Sequence, residues 1–101
     1  EAYDVATARA VAPMPTLVEY LLPLVRVGGM VIMQKGENAP AETQQSEKVI
    51  ARLGGRLRKI IPISLPYVVE DRYLVVLDKV AQTPSAYPRR TGVPAKQPLL
   101  D

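Results

Sequence analysis

The apolar positions of this chain change period along its length, and each change marks an element. Tyr3 to Ala8 are mostly apolar or small, with Val5 at the centre, and Arg9 follows at once. That pattern predicts a buried strand ending on a cation. Pro13 and Pro15 punctuate the next stretch, and Pro15 suits the first turn of a helix, where a missing N–H is of no consequence. Leu17, Leu21 and Leu24 recur at helical spacing, with Val18, Leu22 and Val25 beside them. Pro23 is expected to kink this helix or weaken its last turn, and Gly28 and Gly29 to cap it. Met30 to Met33 is an unbroken apolar run, as in a strand covered on both faces, and it closes on Gln34, Lys35 and Gly36. Strand, helix, strand in this order is a crossover unit, so the two strands are expected to be parallel.

A second helix is predicted from Pro40 to about Leu53, with Asn38 or Ala39 at its cap and Gly54 and Gly55 as its stop. Ala41, Val49, Ile50 and Leu53 give it a thin apolar stripe, which predicts a surface helix packed on one sheet face. From Arg56 to Leu65 the pattern alternates in part, with Leu57, Ile61, Ile63 and Leu65 on one parity, and Pro62 places this strand at or near an edge. Pro66 to Asp71 reads as a turn. Tyr73 to Val80 reads as a central strand, and its short connection to the preceding one predicts an antiparallel pair. The last stretch, "TPSAYPRRTGVPAKQPLLD", holds four of the ten prolines together with Arg89, Arg90 and Lys96. It predicts an extended arm, docked or loose. The expected organisation is an α/β unit over residues 1–82 and a basic, proline-rich arm over 83–101.

Composition narrows the chemistry. With 48% hydrophobic residues in 101 and only five tyrosines as aromatics, the chain can pack one aliphatic core. Tyr3, Tyr20 and Tyr73 fall in core-like segments, and the tyrosines form no base-stacking platform. The formal charge of +3 is compatible with a nucleic-acid partner without being diagnostic of one. Absence of cysteine and histidine excludes disulfides, thiolate nucleophiles, Cys/His zinc sites and histidine-based triads, so no metal is expected. No run of about 18 apolar residues is present, so no membrane span is expected. The acidic start argues against a signal peptide, and a start without Met suggests a piece of something longer.

Taken together, "YDVATARAVAPMPTLVEYLLPLVRVGG", "QKG", "LGG", "DRYLVVLDKV" and "TPSAYPRRTGVPAKQPL" resemble the bacterial guanine-N7 methyltransferases of small-subunit (16S) ribosomal RNA, the RsmG or glucose-inhibited division protein B (GidB) family. The resemblance runs from residue 3 to 100 and is to the C-terminal half of the family only. It implies the second half of a Rossmann-like class I methyltransferase fold, S-adenosylmethionine as cofactor of the whole enzyme, 16S rRNA or the small ribosomal subunit as partner, and a cytoplasmic location. It also implies that the glycine-rich cofactor loop lies outside this chain, since Gly28, Gly29, Gly54 and Gly55 read as helix stops. The isolated chain is therefore expected to be inactive and, with its first strand bare, to self-associate.

Ligands of open α/β sheets bind outside the carboxyl ends of the parallel strands. By the resemblance Arg9 is a cofactor-binding residue; Lys35 closes the next parallel strand and is expected on the same rim as an RNA-binding residue, the two cations together making a site for an RNA phosphate or for the carboxylate end of the cofactor. Arg72, Arg89, Arg90 and Lys96 are further RNA-binding candidates. No carboxylate pair stands out as general acid and base, and attack by guanine N7 requires none. Two other readings stand beside this one: a non-catalytic RNA-binding or interaction module, and an α/β domain with an unrelated ligand.

Overall fold

A computed structural model describes residues 2–9, 12–64, 66, 71–89, 93 and 99. Its strands are β1 (Tyr3–Arg9), β2 (Val25–Lys35), β3 (Gly55–Ile63) and β4 (Arg72–Lys79). They form one four-stranded sheet in the order β1-β2-β4-β3. β1 runs parallel to β2, and β4 is antiparallel to both β2 and β3. The helices are α1 (Met14–Leu21), α2 (Ala39–Gln45) and α3 (Glu47–Arg52). This is the expected parallel pair followed by an antiparallel pair, with Pro62 on an outer strand.

Three boundaries differ from the sequence pattern. The first concerns α1, which stops at Leu21 and passes through a 3₁₀ turn at Leu22–Leu24 straight into β2. Pro23 forces this, because it has no N–H for the α-helical ladder. Gly28 and Gly29 therefore lie inside β2 rather than capping a helix. Gly28 has φ of +95°, and a side chain at Gly29 would collide with the Asp4 carbonyl and Val25. The β1–β2 register slips here, between Tyr3 and Val5, so the glycines absorb an irregularity that a side chain would block. Second, the helix expected from Pro40 to Leu53 is two short helices, broken at Ser46. Third, β3 carries a bulge between Leu57 and Lys59. It shifts the parity, so that Ile60 packs against the core while Leu57 and Ile61 stay exposed.

The core lies between one sheet face and the helices. Met14, Val18 and Leu22, spaced four apart on α1 and its 3₁₀ extension, meet Val31 and Met33 of β2, Val75 and Leu77 of β4, and Val49, Ile50 and Leu53 of the last helix turn and its cap. Within the wide apolar face predicted for this helix, the Val18–Leu22–Val25 row is fully buried, Leu17 and Leu21 are half-buried against it, and Leu24 is exposed. Each such side chain contributes about 1.5–3 kcal/mol by leaving water. The most unusual member is Lys79, 1% exposed, whose Nζ donates to the carbonyls of Leu22 and Val25, 2.7 Å each. It ties β4 to the chain reversal between the 3₁₀ turn and β2, where two carbonyls have left regular ladders.

The other sheet face has no helix over it among the described residues. Tyr3, expected in packing, is 61% exposed, and Val5 is 46% exposed. Tyr73 and Tyr87 do pack against the core.

Candidate functional site at the carboxyl end of the sheet

Arg9 is the last residue of β1, Lys35 the last of β2, and Arg72 the first of the antiparallel β4, so topology brings all three to one end of the sheet. Register then separates them. Arg9 pairs with Gln34, whereas Lys35 continues the buried row of Val31 and Met33. Successive strand residues point to opposite faces. Arg9 thus faces the uncovered side, and Lys35 faces the helices. The single rim expected from the sequence is two half-rims, back to back across the sheet.

On the open face, Arg9 is exposed and borders a hollow of about 300 Å³ with Thr7, Ile32, Gln34 and Leu74. Arg72 pairs with Ile63 on β3 and shares the parity of Leu74 on β4. Its Nε is buried and has no hydrogen-bond partner among the described residues.

On the helix-covered side, Lys35 is 8% exposed. Its Nζ donates to the Ala12 carbonyl at 3.0 Å and pairs with Glu42 Oε1 at 2.6 Å. Glu42 Oε2 in turn accepts the backbone N–H of Met14 at 2.9 Å. Glu42 stands in the first turn of α2, so this clasp joins the end of β2, the start of α1 and α2. A cleft of about 710 Å³ opens beside it, lined by Ala12, Pro13, Lys35, Gly36, Asn38 and Glu42 among others. Lys35 is therefore a positioned, charge-compensated lysine, and what the cleft offers a ligand is the Lys35–Glu42 pair.

Arg89 is docked. Its guanidinium grips Glu19 through Nη2 to Oε1 at 2.8 Å and Nε to Oε2 at 2.9 Å, and its backbone N–H donates to Oε2 at 2.8 Å. Glu19 is fully buried on α1. Burial pushes its carboxyl pKa up, but the side-chain and backbone hydrogen bonds and the charge of Arg89 outweigh it and hold the pKa below its ordinary 4.5. The same contacts raise the pKa of Arg89. Thr83 Oγ1, donating to the Leu53 carbonyl at 2.6 Å, pins the arm nearer its root. Up to Arg89 the arm is thus docked on the core. Arg90 and Lys96 lie outside the described residues.

Glu42, Glu19 and Lys79 escaped the sequence reading. Glu19 had a signal: it is the only charged residue between Ala10 and Val25, and a lone charge in an apolar helix needs a buried partner. Glu42 had none, since it looks like any acidic residue in a first helical turn.

No group of three or more acidic, histidine or cysteine side chains able to hold a metal occurs among the described residues, and no helix among them is long and apolar enough to cross a membrane.

A crossover pair followed by an antiparallel pair in the order β1-β2-β4-β3, with cations at the carboxyl end, defines the second half of a Rossmann-like class I methyltransferase sheet. A solved chain titled "crystal structure of M1.HpyAVI" shares the fold at TM-score 0.50 and 17% identity, over 75% of this chain and 42% of that one. The family model of GidB, rRNA small subunit methyltransferase G, matches residues 1–69, and this chain belongs to that family. "Ribosomal RNA small subunit methyltransferase G" of Roseiflexus castenholzii is 53% identical over 99% of this chain and 42% of its own length. The protein of that name from Lactiplantibacillus plantarum is 46% identical over 98% of this chain and 41% of its own. The chain spans about two fifths of the length of these relatives.

Proposed function

We propose that this chain is the C-terminal half of a cytoplasmic, S-adenosylmethionine-dependent methyltransferase acting on N7 of a guanine in 16S rRNA, and that alone it is inactive. The observation that carries the reading is near-complete coverage of this chain by relatives of which it spans only 42%. Guanine N7 holds an available lone pair, so transfer needs no general base, and the protein's task is to orient the base and its backbone. The bound cofactor would supply an electrophilic methyl group. The residues here fit one end of it. Arg9, exposed beside an open hollow, suits a carboxylate. The described glycines form no glycine-rich cradle for the adenosine: Gly28 and Gly29 lie in β2, Gly36 stands singly after it, Gly54 lies between α3 and β3, and Gly55 opens β3.

On the helix-covered side, Lys35 and Glu42 would border the RNA, and Arg72 would add a cation from the open face. Arg89 acts indirectly, by docking on the core the arm whose sequence carries Arg90 and Lys96.

The test is methyl transfer from labelled S-adenosylmethionine to undermethylated small subunits. The 101-residue chain should transfer nothing above background, and a longer parent chain should be active. In that parent, Arg9→Ala should raise the KM for cofactor, and Lys35→Ala should weaken RNA binding. Normal turnover by the 101-residue chain would refute the inactive-half reading. RNA binding by a chain whose gene holds no upstream half would favour a non-catalytic module.

A further inference from the structure

The segment 48–59 contains five of the chain's 13 basic residues and none of its ten acidic ones. Without those five, a chain of net charge +3 would be net acidic. Positive charge is therefore concentrated, and it is concentrated away from Arg9 and Lys35. β3 is parallel to β2, so its first residues lie at the amino end of the sheet, opposite the candidate site.

Local geometry sharpens the concentration. Arg56 pairs with Asp78 and Lys59 with Val76, two residues apart on β4 and hence on the same face. In a regular strand Arg56 and Lys59 would face opposite ways. The bulge between Leu57 and Lys59 turns both to one side, with Arg58 as the extra residue. Arg56, Arg58 and Lys59 are all exposed, and Arg58 reaches Asp78 at 3.4 Å.

Over the edge from this strip, which turns to the uncovered face with Val76 and Asp78, the helix-covered side toward which Leu57 and Ile60 point holds a cavity of about 420 Å³ between β3 and α2–α3. Ile50, Leu57 and Ile60 give it apolar walls, and Glu47 and Arg56 stand among its lining. Thr43 also lines it. This residue is 3% exposed, and its hydroxyl is buried with no hydrogen-bond partner. A helical threonine ordinarily satisfies its hydroxyl on a preceding carbonyl. A buried orphan hydroxyl is unfavourable by about 1–3 kcal/mol unless something fills its need.

We propose that this outer edge is a second RNA-binding surface that a single strand crosses, with Arg56 and Lys59 holding phosphates from the uncovered face while one unpaired base turns over β3 into the cavity beside Thr43. The inference rests on the RNA reading above but concerns a different surface of the molecule, across α2 from the cleft beside Lys35. Aliphatic walls admit either face of a base, and the Thr43 hydroxyl and Glu47 carboxylate offer a donor and an acceptor to its edge. The Glu47 charge opposes a phosphate at that point, which fits the base, rather than the backbone, occupying the cavity. A double helix would present phosphates but no free base, so the surface selects single strands. Basic residues also protect edge strands from pairing. Edge protection, however, requires neither the cavity nor the orphan hydroxyl.

The test is fluorescence anisotropy of the 101-residue chain with a short single-stranded RNA, the matching duplex, and the same strand carrying abasic positions. Arg56→Gln with Lys59→Gln should weaken single-strand binding about tenfold at moderate salt. It should also flatten the plot of log affinity against log salt by roughly 1.4, at about 0.7 per phosphate contact. Ile60→Trp, which fills the cavity, should weaken binding to the intact strand and leave the abasic strand unchanged. Thr43→Val, nearly isosteric, gives a milder version with the fold retained by circular dichroism.

Unchanged affinity and salt slope in the double variant would overturn the proposal, as would equal binding of duplex and single strand. Aggregation of the double variant with RNA affinity intact would assign these cations to edge protection and overturn it too. Loss of binding on Arg9→Ala or Lys35→Ala with the edge variants unaffected would leave the methyltransferase reading standing and remove this one.

Discussion

The two outer strands of the sheet present opposite edges to solvent. β3 is basic, bulged and interrupted by Pro62, which are the devices by which natural edge strands discourage pairing with another chain. β1, YDVATAR, has none of them: it is small and apolar between Asp4 and Arg9, with Tyr3 and Val5 exposed. An ion pair between Asp4 and Arg26 joins its start to β2. The comparison teaches that β3 is built to remain an edge, while β1 is built like an interior strand. The same residues that keep β3 solitary also concentrate its charge, so one strand can serve folding and recognition together.

The largest expected effect lies in the middle, on which both edges depend. Lys79→Ala removes the donor to the Leu22 and Val25 carbonyls and opens a void, and it should lower the unfolding free energy by about 3 kcal/mol. Urea denaturation measures this, and a loss below about 1 kcal/mol would mean that the buried ammonium is not holding the chain reversal together.

Next comes the contrast itself. We expect the chain to self-associate through β1, and Val5→Lys to weaken that association about tenfold, or roughly 1.4 kcal/mol. Ile61→Lys on β3 should leave it unchanged. Sedimentation equilibrium of the two variants decides the matter: equal effects would erase the distinction between the edges.

A smaller effect concerns the arm. The Glu19 pKa is depressed by Arg89, so the stabilisation from this pair is complete above the ordinary 4.5 and is lost as pH falls through the depressed value. Limited proteolysis of the arm should be slow at neutral pH and accelerate on acidification below about 4.5, with the core still folded. Glu19→Gln should make cleavage fast at every pH. A flat pH profile for the parent would mean that the arm is held by Tyr87 and Thr83 instead. The smallest effect is expected from Pro62→Val, which restores an edge N–H, should change stability by less than about 0.5 kcal/mol, and should raise association slightly.

Element order and strand directions were legible before any coordinates, because apolar period, proline position and connection length are local properties. Pro62 marked an edge, and the 73–80 run marked a central strand. The helix boundaries were less legible. Gly28 and Gly29 resemble a C-cap in sequence, but Pro23 had already ended the helix, and the glycines serve a close approach to Asp4 that lies 25 residues away in the chain. The split of the second helix at Ser46 had no clear mark, since Ser is tolerated both within helices and at their caps.

By itself, the sequence determined a crossover pair, an antiparallel pair, an aliphatic core without histidine or cysteine chemistry, and membership of a family. Those follow from residue type and spacing. Only the tertiary structure decided which way the functional side chains face. Strand side chains alternate with period two, so one slipped or inserted residue exchanges the faces. The irregularity at Gly28 and the bulge at Leu57 are such insertions. They leave Arg9 and Lys35 on opposite sides of one sheet end, and they turn Arg56 and Lys59 to one face of the outer strand. Partners were likewise hidden: Glu42 meets Lys35 from seven residues on, and Arg89 meets Glu19 across 70, through packing that no local pattern encodes.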